Sequence, residues 1–116
     1  MFLIEYNGYD LTKYNEFLIE CRLKDYSNQG THRHHILPKF MGGKKNKANV
    51  IVLSVEDHYK AHIILAECFP SDTRWYRGNM FGALYCQRWL EGDYEEISTR
   101  LSKMQKEKSK LAGNIQ

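Results

Sequence analysis

With 116 residues, 42% of them hydrophobic and 13% aromatic, the chain has enough apolar side chains for one domain with a modest core, and its composition excludes a disordered segment. No apolar run approaches the roughly 20 residues needed to cross a bilayer. The net charge is +3, and the opening Met1-Phe2-Leu3-Ile4-Glu5 lacks the basic stretch and cleavage site of a secretory signal, so a cytoplasmic location is expected.

In chain order, Phe2 to Tyr6 reads as a short strand closed by an Asn7-Gly8 turn. Behind a candidate cap at Asp10, residues Leu11, Tyr14, Phe17, Leu18 and Cys21 recur at helical spacing, which predicts a helix with its stripe in the core. Thr31 to Ile36 runs into an Ile36-Leu37-Pro38 stop, and Val50-Ile51-Val52-Leu53 is a β-branched run typical of a strand. A polar, glycine-containing loop from Lys39 to Asn49 joins the two. Directly after the second strand, the Ser54 hydroxyl can cap the free amides of a new helix while Asp57 reaches back, so a helix begins at about Val55.

That helix should continue through Ile63, Ile64 and Leu65 and end near Pro70. Ser71 or Asp72 is the candidate cap of the next helix, which carries Trp75, Met80, Leu84, Tyr85 and Trp89 and is weakened by Gly78 and Gly82. Its aromatic residues read first as core. After Gly92, Ile97, Leu101, Met104 and Leu111 form a thin stripe on a last helix, surrounded by Arg100, Lys103, Lys106, Lys108 and Lys110.

All five histidines fall between positions 32 and 62. Imidazole both ligates divalent metals and takes up a proton near neutral pH, so the clustering points to metal-assisted acid–base chemistry. On the second helix His58 and His62 stand one turn apart, with about 6 Å between Cβ atoms. Neighbours on a strand point to opposite faces, so His34 and His35 cannot both turn toward that helix. One of them can complete a metal site with the helical pair while the other projects past it toward a substrate. His32 reads as a solvated strand residue.

The segment His34-His35-Ile36-Leu37-Pro38, Gly42-Gly43, Asn49-Val50, Leu53-Ser54 and Glu56-Asp57-His58-Tyr59-Lys60-Ala61-His62 resembles the HNH, or ββα-metal, nucleases, particularly the small phage-encoded and homing-type members. The resemblance covers roughly Gly30 to Pro70, about a third of the chain. It implies an α+β fold: a β-hairpin and metal-site helix over 30–70, an N-terminal helical flank over 1–29, a packing helix over 71–92 and a basic C-terminal helix over 93–116, all in a single nuclease domain.

By that resemblance His34, His58 and His62 are the metal ligands, His35 is the general base, and Asn49 is the structural residue that ties the loop between the strands. Many relatives carry Asp where His34 stands and Asn where His58 stands. The implied activity is metal-dependent hydrolysis of DNA phosphodiester bonds. The implied cofactor is one divalent ion: three imidazoles favour zinc, nickel, cobalt or manganese, with magnesium open for turnover.

Charge distribution agrees with a nucleic-acid partner, most simply duplex DNA. From Tyr26 to Val55 the chain has Arg33, Lys39, Lys44, Lys45 and Lys47 and no acid, and ammonium groups beside the histidines would bind phosphate without reading bases. Arg100, Lys103 and Lys106 are expected to add an auxiliary contact. A homodimer or a protein partner is left open. Cys21, Cys68 and Cys86 are odd in number, widely spaced and read as reduced core residues. Two other readings stand beside the nuclease: a zinc-stabilised nucleic-acid-binding module without catalysis, and an interaction subunit of a phage machine.

Overall fold

The computed structural model describes residues 4–91. An antiparallel hairpin is formed by β1 (Thr31–His35) and β2 (Val50–Ser54), with His34 opposite Ile51 and His35 opposite Val50. Helices α1 (Thr12–Arg22), α2 (Val55–Glu67) and α3 (Arg74–Glu91) complete the described α+β architecture. No helix among the described residues is long and apolar enough to cross a membrane. The basic stripe with Arg100, Lys103 and Lys106 lies outside the described residues.

Alternation along the hairpin separates two faces. His32 and His34 share the inner face with Ile51 and Leu53, whereas Arg33 and His35 share the outer face with Val52 and Val50. The inner face packs on α2, whose Ala61 and Leu65 are fully buried, and on Leu18 and Tyr14 of α1. A second patch, built from Tyr6, Tyr9, Phe69 and Trp75 in edge-to-face contacts, closes the core beside α3.

Among the described residues no N-terminal strand forms. Phe2 and Leu3 lie outside the described residues, and further on there is only an isolated bridge between Tyr6 and Tyr9 around the Asn7-Gly8 turn, both of whose residues have positive φ. The reason lies in Asn15 of α1. Its carboxamide accepts from the Ile4 N–H at 3.0 Å and donates to the Ile4 carbonyl at 2.9 Å, so a side chain stands where a neighbouring strand would have been.

The caps differ in detail from expectation. Ser54 accepts from the Asp57 amide at 3.1 Å, as a cap for α2 should. The Asp57 carboxylate does not reach back; it takes hydrogen bonds from Lys24 at 3.0 Å and Tyr26 at 2.7 Å, pinning the segment after α1 to the start of α2. Asp10 accepts from the amide of Thr12 at the start of α1. At α3 it is Thr73, not Ser71 or Asp72, whose hydroxyl accepts from a first-turn amide, that of Tyr76, while the Asp72 carbonyl receives Arg77.

Trp75 packs against the core as expected, but Tyr85 and Trp89 of α3 do not. Asn79, Ala83 and Cys86 form its buried stripe, and Tyr85 and Trp89 are exposed, with the Arg88 guanidinium 4.9 Å and 5.1 Å from their ring centres. Small residues face inward because α3 runs very close to α2: a Cβ on Gly82 would stand 2.7 Å from Nδ1 of His62. Gly82 therefore weakens the helix locally in exchange for close approach.

Candidate metal centre and adjoining basic groove

His34 reaches the interior from β1, and His58 and His62 reach it from successive turns of α2. One nitrogen from each of the three rings lies within 4.8 Å of the other two, and the ring centres form a triangle with sides of 4.9 Å to 5.0 Å. These histidines form a cluster that could hold a metal ion.

Hydrogen bonds determine which nitrogen each ring can offer. The Tyr14 hydroxyl donates its one proton to the Ile36 carbonyl at 2.6 Å, so toward His34 Nε2, also at 2.6 Å, it can only accept. His34 therefore carries its proton on Nε2 and has its lone pair on Nδ1. Asn79, fully buried on α3, donates its amide to the Trp75 carbonyl at 2.9 Å, which leaves its oxygen to accept from His62 Nδ1 at 3.1 Å. His62 thus presents Nε2. His58 has Nδ1 3.0 Å from Nδ1 of His32, leaving Nε2 for the cluster. Such outer partners orient metal-binding imidazoles and fix their tautomers.

The electrostatics favour neutral rings. Burial, with the neighbouring His62, His58 and His35, holds the His34 pKa well below its ordinary range. Burial and the nearby His62 and His32 lower His58 to about 3. Burial also lowers His62, against an upward pull from Asn79. Unprotonated imidazole is the form a metal requires, so the donor set suits a borderline divalent ion.

His35 lies on the other face of the hairpin. It is half-buried and lines a groove with Arg33, Lys45, Asn46, Lys47, Val50 and Val52. Lys39 and Lys44 are exposed on the same loop outside that groove, and the Lys45 side chain beside Lys39 lowers the Lys39 pKa. Asn49, buried at the foot of β2, holds the loop: its side-chain oxygen accepts from Leu37 N–H at 2.8 Å, and its amide donates to the carbonyls of Leu37 at 2.9 Å and Lys44 at 3.0 Å. Gly43 permits this closure, since a Cβ there would overlap the Leu37 carbonyl.

His32 is the main correction. It is half-buried against His58 at the edge of the cluster rather than a solvated strand residue, and its alternation with His34 was the available signal. Nothing local in the sequence marked Tyr14, Asn79 or Cys86.

Matches among known proteins lie in the same direction. Probable mobile endonuclease E of Enterobacteria phage T4 is 32% identical over 49% of this chain and 40% of its own length. Probable mobile endonuclease B of the same phage is 29% identical over 66% of this chain and 31% of its own. The chain resembles phage mobile endonucleases. An uncharacterized 38.5 kDa protein in psbA intron 1 of Chlamydomonas moewusii is 42% identical over 42% of this chain and 14% of its own. The chain thus spans 40% or less of the length of these endonuclease and intron-encoded relatives. No family model and no solved structure matches it.

Proposed function

We propose that the chain is a metal-dependent DNA endonuclease of the ββα-metal kind, in which His34 Nδ1, His58 Nε2 and His62 Nε2 hold one divalent ion and His35 is the general base. The observation that carries this reading is the convergence of three neutral imidazoles, two of them with tautomers set by Tyr14 and Asn79 so that one lone pair from each remains for an ion. The likeness to mobile endonucleases supports reading the substrate as DNA.

A bound divalent ion would offset the negative charge that builds on the phosphate oxygens during displacement. The protein's own groups do the rest. Arg33, Lys45 and Lys47 hold the phosphate backbone in the groove that His35 lines, orienting one phosphodiester without reading bases. His35 takes a proton from the water that attacks the phosphorus in line, leaving a hydroxide equivalent at the moment of bond formation. Asn49 keeps the loop with Lys45 and Lys47 against the end of β1, so these cations and His35 stay in register.

Supercoiled plasmid incubated with the protein across a series of divalent ions tests this directly. The parent should nick or linearise the plasmid, and His35→Ala should bind the ion with parental affinity but cleave about 10²–10⁴-fold more slowly. Equal cleavage by His35→Ala would remove the general-base assignment. Retarded but uncut DNA with every ion would instead identify a binding module.

A further inference from the structure

His32 follows the inner face of β1 two positions before His34, and its Nδ1 is 3.0 Å from Nδ1 of His58. At that distance the two nitrogens share one proton. Cys86 stands on α3 one turn beyond Gly82, and as Gly82 abuts His62, so Cys86 meets His58, one turn back along α2. The Cys86 sulfur and one nitrogen each from His32 and His58 all lie within 4.8 Å of one another. Cys86 is fully buried and the two rings are half-buried, so the imidazoles are the more exposed members of the group.

We propose that His32, His58 and Cys86 form a second cation site, suited to soft or borderline ions such as zinc and cadmium, that competes with the first for the imidazole of His58. One sulfur and two imidazole nitrogens make a three-ligand set with room for water, a combination that oxygen-seeking magnesium does not favour. On binding, the S–H bond of Cys86 breaks, a sulfur–metal bond forms and the proton leaves to solvent; no oxidation state changes.

The competition follows from counting protons. His58 can offer Nε2 to the first centre only while its proton sits on Nδ1, donated to His32. An ion in the second site that takes the lone pair of His58 Nδ1, the nitrogen facing His32, requires the His58 proton to move to Nε2, where it faces the first centre and blocks ligation. One neutral ring cannot serve both. A soft ion in the second site therefore leaves the first with His34 and His62 alone, which would make excess zinc or cadmium inhibitory. This sharing rests on the reading of His34, His58 and His62 as a metal centre, whereas the thiolate site itself does not.

Cobalt titration of the intact chain, followed by the sulfur-to-cobalt charge-transfer band in the near ultraviolet, tests the second site. The band should appear in the parent, vanish in Cys86→Ala and require at least tenfold more cobalt in His32→Asn, a substitution on the half-buried strand that circular dichroism can verify as folded. No band in the parent, a band surviving Cys86→Ala, or a His32→Asn titration matching the parent would overturn the site. Cadmium added to the manganese-loaded chain, with free manganese read by electron paramagnetic resonance, tests the sharing. Manganese should be released at a cadmium concentration at least tenfold lower in the parent than in Cys86→Ala, and identical release curves would overturn the competition. Failure of Cys86→Ala to bind manganese, nickel or zinc would remove the first centre, and with it the competition, while the cobalt band of the parent still decides the thiolate site.

Discussion

Tyr14 and His34, 20 positions apart in the chain, meet at 2.6 Å through a hydroxyl whose single proton already goes to the carbonyl of Ile36. The tyrosine thereby selects the Nε2–H tautomer of His34 and aims Nδ1 at the other two rings. Burial raises the Tyr14 pKa well above its ordinary value, so the phenol stays protonated and the arrangement persists across the working pH range. Replacing Tyr14 with Phe keeps the ring and its packing but deprives two buried groups of their partner. Divalent-ion affinity, measured by competition with a chelator, should fall about 10–100-fold, the usual cost of removing an outer partner of a metal-binding histidine. The urea midpoint of the metal-free chain should fall as well, by the equivalent of about 1–3 kcal/mol. Parental affinity in a folded Tyr14→Phe variant would show that another group orients His34.

Gly82 gives a prediction of opposite sign to intuition. In an exposed helix, Gly→Ala stabilises by about 1 kcal/mol. Here the new Cβ would stand 2.7 Å from His62 Nδ1 and 2.8 Å from its Cε1, and that ring is held between α2 and the buried Asn79. Gly82→Ala should therefore destabilise the chain by about 1–3 kcal/mol, the range for overpacking, and weaken ion binding by tilting His62. Gly78→Ala is the control. Its Cβ would meet the Phe40 ring at 2.4 Å, but Phe40 is 40% exposed and lies away from the three histidines, so the loss there should be smaller and ion affinity unchanged. Thermal melts and chelator titrations of the two variants side by side check both halves.

The parts of this fold legible in the sequence were those set by neighbours in the chain. The β-branched run Val50-Ile51-Val52-Leu53, the Ser54 cap and the four-residue spacing of His58 and His62 each depend on a handful of adjacent residues, and hairpin, α2 and their junction follow from them. What was not legible depends on partners brought together by folding. Asn15 replaces a strand next to Ile4, Tyr14 and Asn79 choose histidine tautomers, and Cys86 arrives beside His58 from a helix whose stripe looked merely apolar. No periodicity encodes such pairings. His32 lies between the two cases: alternation placed it on the inner face with His34, yet only the close approach of α2 and α3 turns that face into a site.

Asn49 should matter through stability before it matters through chemistry. Its carboxamide makes three hydrogen bonds to the backbone of Leu37 and Lys44, and Asn49→Ala would leave those groups without a partner where the loop closes. With buried unsatisfied groups costing about 1–3 kcal/mol each, a loss of about 3 kcal/mol or more is expected, read from the urea midpoint. Amide exchange should accelerate first at Leu37, whose N–H bonds directly to Asn49. If Asn49→Ala kept parental stability, the loop would have to be held by Gly43 and the turn at Asn46 alone.

Asp57 supplies the pH dependence. Burial pushes its carboxyl up, but the hydrogen bonds from Tyr26 and Lys24 and the charge of Lys24 outweigh burial, and the net shift is below the ordinary 3.8. A carboxyl depressed in the folded state stabilises the fold above its unfolded pKa, and that contribution disappears as pH falls through the folded value. In Asp57→Asn the backbone amide still donates to Ser54, so the helix cap survives and only the charge is removed. The parent should exceed this variant by about 1.5–3 kcal/mol at neutral pH, the range for a hydrogen bond to a charged group. Below pH 3.8 the difference should shrink, and once Asp57 is protonated the parent should match the variant. The histidine cluster also takes up protons as pH falls, with His58 titrating near 3, but it does so in both proteins and cancels in the difference. Paired urea denaturation curves between neutral and acid pH measure this, and a gap that stayed constant down to the lowest pH would show that the charge of Asp57 adds nothing to the contact between the segment after α1 and α2.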